Sequence, residues 1–185
     1  MSDLELIAQI KQDPASFSIL FREYYLAIYG YIFRRIGAAE AAADIASETF
    51  TKAFKNIPYF NYRGIAIKVW LYRIATNEIN LYHRNQTKHN SYISRLDSSL
   101  IQQYHQYIED DKLTLEQELE KHQQYLEVLH QLKKLPLKYQ EVISLRYFEN
   151  KDNKEIAEIL NMNEGTLKSI LSRGLEKLRI LCNPL

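Results

Sequence analysis

The chain has 185 residues, 46% of them hydrophobic and 25% charged, so it can bury one medium core or two small ones and is not disordered along its length. Its net charge of +1 excludes a protein that coats DNA through many phosphate contacts alone, although positive ends flank a negative middle over 87–120. A single cysteine, Cys182, excludes an internal disulfide, and no Cys/His cluster stands at zinc spacing.

Only five glycines and four prolines occur, and apolar residues recur every three or four positions, which predicts an all-α fold of two small domains. Periodicity predicts helices over Asp3 to Gln12 and Ala15 to Ile36, separated by Asp13-Pro14 and ended by Gly37. A third helix fits Ala38 to Ile57, with Ala42, Ile45, Ala46, Thr49, Phe50, Ala53 and Ile57 on one face and Pro58 as its stop. After a loop, Tyr59 to Ile65, a fourth fits Ala66 to Arg84, its core face carrying Ile67, Trp70, Leu71, Ile74, Leu81 and Tyr82. Trp70 is read there as packing. Glu78 falls on the same side, where a carboxylate needs a partner or the helix must be rotated.

Residues 87–118 lose this periodicity and hold the acidic cluster Glu109-Asp110-Asp111, which predicts a linker between a domain over 1–86 and another over 119–185. In the second, a helix fits Glu118 to Leu135, and Pro136 opens another through about Phe148. Asp152 and Glu155 form a capping box for a helix over Lys154 to Leu160, whose Ile156, Ala157 and Leu160 face inward. Asn161 suits the left-handed residue that ends it, and Asn163 can cap the next. Along that last helix Leu167, Ile170, Leu171, Gly174, Leu175 and Leu178 share one side. The other carries Lys168, Ser169, Ser172, Arg173, Glu176, Lys177 and Arg179. Two helices joined by so tight a turn, the second cationic and hydroxyl-bearing, suit a helix-turn-helix whose last helix lies in a major groove.

These residues carry a resemblance. Leu135-Pro136, Tyr139-Gln140-Glu141-Val142, Leu145-Arg146-Tyr147, Lys154-Glu155-Ile156-Ala157 and Glu164 through Ser169 resemble the domain of sigma factors that reads the −35 promoter element. Asp44-Ile45 with Glu48-Thr49-Phe50, and Trp70 through Ala75 with Asn77, resemble the sigma domain that grips RNA polymerase and opens the −10 element. With no room for a further middle domain, the resemblance is to the compact extracytoplasmic-function (ECF) type.

It implies core RNA polymerase and promoter DNA as partners, an anti-sigma protein as a further candidate, and a linker threading toward the polymerase active site. Residue by residue, it implies that Asp44 and Glu48 dock on the polymerase. Tyr62, Arg63, Lys68, Arg73, Asn77, Asn80 and Arg84 would receive the melted −10 strand. Lys168, Ser169, Ser172, Arg173 and Lys177 would contact the −35 duplex. Four positions depart from the family pattern: Ile170 and Leu175, often basic in the family, Glu78, usually apolar, and Ser47, commonly glutamine.

No catalytic residue, metal or cofactor is expected. The five histidines lack a shared spacing, and His122 with Glu118 has no second histidine to complete a metal site. A dimeric helix-turn-helix repressor and a purely protein-binding helical module remain as other readings. Acidic Asp3 and Glu5 near the start, and the lack of about 20 consecutive apolar residues, predict a cytoplasmic protein without membrane insertion.

Overall fold

The structure, a computed structural model, describes residues 2–62, 64–89 and 125–183, and among these it contains helices and turns but no strand. Helix α1 (Asp3–Gln12) opens with a capping box in which Ser2 and Glu5 satisfy each other's backbone N–H. Asp13 then caps a single 3-10 turn, Pro14–Ser16, leading into α2 (Phe17–Ile36), which Gly37 closes at φ 80°. Helix α3 (Ala39–Asn56) buries Ala42, Ile45, Ala46, Thr49, Phe50 and Ala53, the predicted face. Its end runs into a second 3-10 turn, Ile57–Tyr59, at Pro58.

Helix α4 (Ile67–His89) extends past the predicted end at Arg84 and past the predicted domain boundary at residue 86. Its buried surface is also broader than one stripe: Ile67, Val69, Leu71, Tyr72, Ala75, Thr76 and Ile79 are all buried, while Leu81, predicted in the core, is 40% exposed. The reason is a second neighbour. Helices α2 and α3 cover one side of α4, and the C-terminal half covers another.

That half begins with α5, helical over 125–133, and α6 (Leu137–Ile143), which widens into a π-helical turn, Ser144–Phe148. The wide turn is closed by Glu149 N–H donating to Ser144 O at 3.1 Å, and Asn150 then reverses the chain at φ 49°. Helix α7 (Asn153–Leu160) carries the expected Asp152/Glu155 capping box and ends on Asn161 in the left-handed conformation. Asn163 caps α8 (Glu164–Cys182) by accepting from Thr166 N–H at 2.8 Å.

The second core was expected to stand alone. Instead Val142, Leu145, Ile156, Ile159 and Leu167 belong to the same apolar cluster as the buried residues of α1 to α4. A smaller cluster, Leu132, Leu135, Tyr139, Ile143 and Leu178, lies between α5, α6 and α8. Gly174 permits that contact, since a Cβ there would lie 3.1 Å from the Tyr139 ring.

Candidate nucleic-acid interface

The loop between α3 and α4 is tied down at both ends by α1. The Lys11 ammonium donates to Phe60 O at 2.8 Å, and the Asp3 carboxylate accepts the Ile67 N–H at 2.7 Å, capping α4 from a distant part of the chain. Between these ties the loop and the first turns of α4 enclose a cavity of about 530 Å³ lined by Asn56, Tyr59, Phe60, Asn61, Trp70 and Arg73, among others. Phe60 and Trp70 form its floor, their ring centroids 4.6 Å apart. Trp70 is therefore half-buried, packed against the core cluster on one side and lining the cavity on the other. Tyr59, 82% exposed, stands at the rim. Sequence reasoning passed over Tyr59, Phe60 and Asn61, although an aromatic and amide cluster beside Tyr62 was a visible signal.

Along α4 the predicted polar stripe is present. Asn77 and Arg84 are exposed, and Asn80 is half-exposed. Tyr62 lies exposed in the loop, and Arg63 lies outside the described residues. Lys68 and Arg73 are engaged from across the molecule. The Lys68 ammonium pairs with the Glu155 carboxylate at 3.2 Å. Arg73 donates through Nε to Glu158 O at 2.8 Å and through Nη2 to the same carbonyl and to the Glu158 carboxylate. Glu158 itself contributes to the cavity wall.

Beside this contact Glu149 receives the Tyr72 hydroxyl at 2.6 Å and the Arg34 guanidinium. Burial, then the nearby carboxylate, push the Tyr72 hydroxyl above its ordinary pKa. The buried Lys151 ammonium sits 4.2 Å above the Tyr72 ring. Burial and then repulsion from Lys68 pull its pKa down.

Glu78 has the partner its position required. Lys52 of α3 reaches its carboxylate at 2.6 Å, and the same ammonium lies 3.5 Å from Glu48. The Glu78 contact comes first in raising the Lys52 pKa. Asp44, Ser47 and Glu48 lie exposed on one side of α3.

On α8, Lys168, Ser172, Arg173 and Lys177 are exposed, and Ser169 is half-exposed, along one face. Ile170 and Leu175 are half-buried against the apolar clusters, so their lack of charge takes no cation from that face. Among the described residues no group of three or more His, Cys, Asp or Glu could hold a metal, and no helix is long and apolar enough to cross a membrane.

Residues 20–89 match the family model for sigma-70 region 2, and residues 125–178 match that for sigma-70 region 4. The chain is 33% identical over 176 residues to the ECF RNA polymerase sigma factor SigW of Bacillus subtilis, covering 94% of this chain and 92% of SigW. It is likewise 33% identical over 159 residues to RNA polymerase sigma factor YlaC of the same organism, covering 84% of this chain and 85% of YlaC. Its fold is similar to that of CnrH, solved in complex with the cytosolic domain of CnrY, with a TM-score of 0.69, 21% identity and coverage of 97% and 96% of the two chains. The chain belongs to the ECF group of the sigma-70 family of RNA polymerase sigma factors.

Proposed function

We propose that this sigma factor, which binds core RNA polymerase and directs promoter-specific initiation, reads the −10 element with the cavity at the start of α4 and the −35 element with α8. The cavity carries the reading. Tyr59, Phe60 and Trp70 offer stacking faces, Asn56 and Asn61 offer amides for an unpaired base edge, and Arg73 lies at its wall. Lys68, Asn77, Asn80 and Arg84, with Tyr62 and Arg63 in the loop, extend this surface for the melted strand. Capturing an extruded base drives strand separation because the flipped state is stabilised while the paired state is not.

On α8, Lys168, Ser169, Ser172, Arg173 and Lys177 contact duplex phosphates and base edges. Asp44 and Glu48 on α3 dock on the polymerase. The working division is 1–86, a linker over 87–118, and 119–185, with the α4 helix crossing the first boundary. The protein acts in the cytoplasm, without catalysis, metal or cofactor. An anti-sigma protein is a fitting regulator, since RpoE of Bartonella quintana, similar in fold at a TM-score of 0.62, was solved with the anti-sigma factor NepR.

The test is transcription from genomic fragments by sigma-free core polymerase with the purified chain, with permanganate footprinting of melted thymines. Asn61→Ala and Tyr59→Ala are expected to reduce melting at −10 by about tenfold or more while leaving the polymerase complex intact. Melting unchanged in both variants would remove the cavity from the mechanism. A symmetric duplex footprint made by the chain alone, without a polymerase complex, would replace this reading with the dimeric repressor.

A further inference from the structure

Helix α1 reaches the α3–α4 loop at both of its ends. Lys11, in the last turn of α1, donates from its ammonium to Phe60 O at 2.8 Å, and Asp3, in the first turn, accepts the Ile67 N–H at 2.7 Å. The second contact replaces a missing local one. A helix start is ordinarily capped by a Ser, Thr, Asp or Asn just before it, but Ala66 precedes α4 and has no side-chain oxygen. The Ile67 N–H therefore takes its acceptor from another helix.

Helix α1 is suited to this because the core sets its position. Leu6, Ile7 and Ile10, between Asp3 and Lys11 in sequence, are buried in the larger apolar cluster. The Ser2/Glu5 capping box fixes the start of α1, and Gln9 near its end donates to Ser16 Oγ at 3.0 Å. Between the two ties lie the exposed Asn61, which lines the cavity, and the exposed Tyr62. The contact of Phe60 with Trp70 is apolar and non-directional, whereas a hydrogen bond fixes one atom of the backbone. Fixing Phe60 O and Ile67 N–H fixes where the Asn61 amide stands. An amide tells one base edge from another only when its donors and acceptor are held in place.

Resting on the −10 reading above, we propose that Asp3 and Lys11 are positioning residues for −10 recognition, a brace from α1 that holds both ends of the loop and thereby sets which base edge Asn61 accepts. Both ties lie within the N-terminal helices, unlike the contacts of Lys68 and Arg73. The brace acts on selectivity and melting and leaves docking on the polymerase, assigned to Asp44 and Glu48, unchanged.

The test uses holoenzyme assembled from core polymerase and the full chain, on a genomic promoter fragment that the wild-type holoenzyme transcribes and on single-base variants of its −10 element. Melting is read by permanganate, polymerase affinity by competition, and the Ile67 amide by hydrogen exchange. The variants are D3A/K11M, K11M alone, and the conservative D3N and K11R, which keep an acceptor and a donor. The control is E5Q/K134M, which removes the same two charges at exposed positions and retains the capping box.

D3A/K11M is expected to melt the −10 element about tenfold less and to lose about tenfold of its preference for the native sequence, at unchanged polymerase affinity. K11M alone should lose about threefold in preference, while D3N, K11R and the control stay within about twofold of wild type. Undiminished preference in D3A/K11M, although the Ile67 amide has lost protection, overturns the brace. An equal loss in D3N or in the control overturns it too, as an effect of charge, and so does a fall in polymerase affinity that accounts for the whole loss. If D3A/K11M does not fold, K11M at its exposed position decides, and wild-type preference there overturns the proposal. N61A separates the two readings: melting lost in N61A but kept in D3A/K11M leaves the −10 reading standing without the brace, and melting kept in both ends the −10 reading and the brace with it.

Discussion

The Tyr72 hydroxyl on α4 donates to the Glu149 carboxylate at 2.6 Å, joining residues 77 positions apart. The same carboxylate holds Arg34, and its side chain is only 5% exposed, so one acidic residue serves two donors from the N-terminal helices. Replacing Glu149 by Ala leaves the Tyr72 hydroxyl and the Arg34 guanidinium short of an acceptor at a buried contact. The expected loss is about 2 to 4 kcal/mol in urea unfolding, and less for Gln, which can still accept the hydroxyl.

Lys52 and Glu78 form a pair in which the carboxylate is 10% exposed and the ammonium 37% exposed. Lys52→Met strands a nearly buried carboxylate and is expected to cost about 1 to 2 kcal/mol, the solvent-facing ammonium limiting the effect. Lys52→Met with Glu78→Leu together should recover most of the loss. A double-mutant cycle by chemical denaturation measures the coupling.

At Gly174, a Cβ would lie 3.1 Å from Cδ1 of Tyr139 and 3.2 Å from Cδ1 of Ile143, both in the smaller cluster. Gly174→Val forces these side chains apart and is expected to cost about 1 to 3 kcal/mol by thermal unfolding. Gly174→Ala should cost less, because alanine's better helix propensity of about 1 kcal/mol offsets part of the crowding. Transcription should weaken most at promoters that depend on their −35 element.

Much of the architecture was legible because it is local. The Asp152/Glu155 capping box, left-handed Asn161 and the Asn163 cap each involve residues within a few positions, and the buried face of α3 follows helical spacing alone. What was not legible depends on distant partners. The burial of Tyr72 against Glu149 and the engagement of Arg73 by Glu158, 85 residues away, arise because α7 and the turn before it lie on α4. No helical wheel of α4 contains that neighbour. Trp70 packs against the core cluster as its stripe implies, and what the wheel omits is the cavity that the neighbouring loop leaves beside it.

His83 on α4 gives the protein an acid-side sensitivity. Burial, then the positive charge of Arg35, lowers its pKa from the ordinary value of 6.5. The unfolded chain therefore binds a proton that the folded chain resists. The stability held above the ordinary histidine range is lost as pH falls through it. The urea midpoint should drop between about pH 7.5 and about pH 5.5, and His83→Gln should flatten that drop.

The chain has one tryptophan and 14 tyrosines, and that tryptophan forms the floor of the α4 cavity against Phe60. Selective excitation at the red edge of the absorption band therefore addresses Trp70 alone. A stacked nucleobase there would quench indole emission by electron transfer, and water entering the cavity would shift it to longer wavelength. The sigma factor thus carries an intrinsic optical reporter at the cavity proposed to receive an unpaired base, readable in stopped flow without any label.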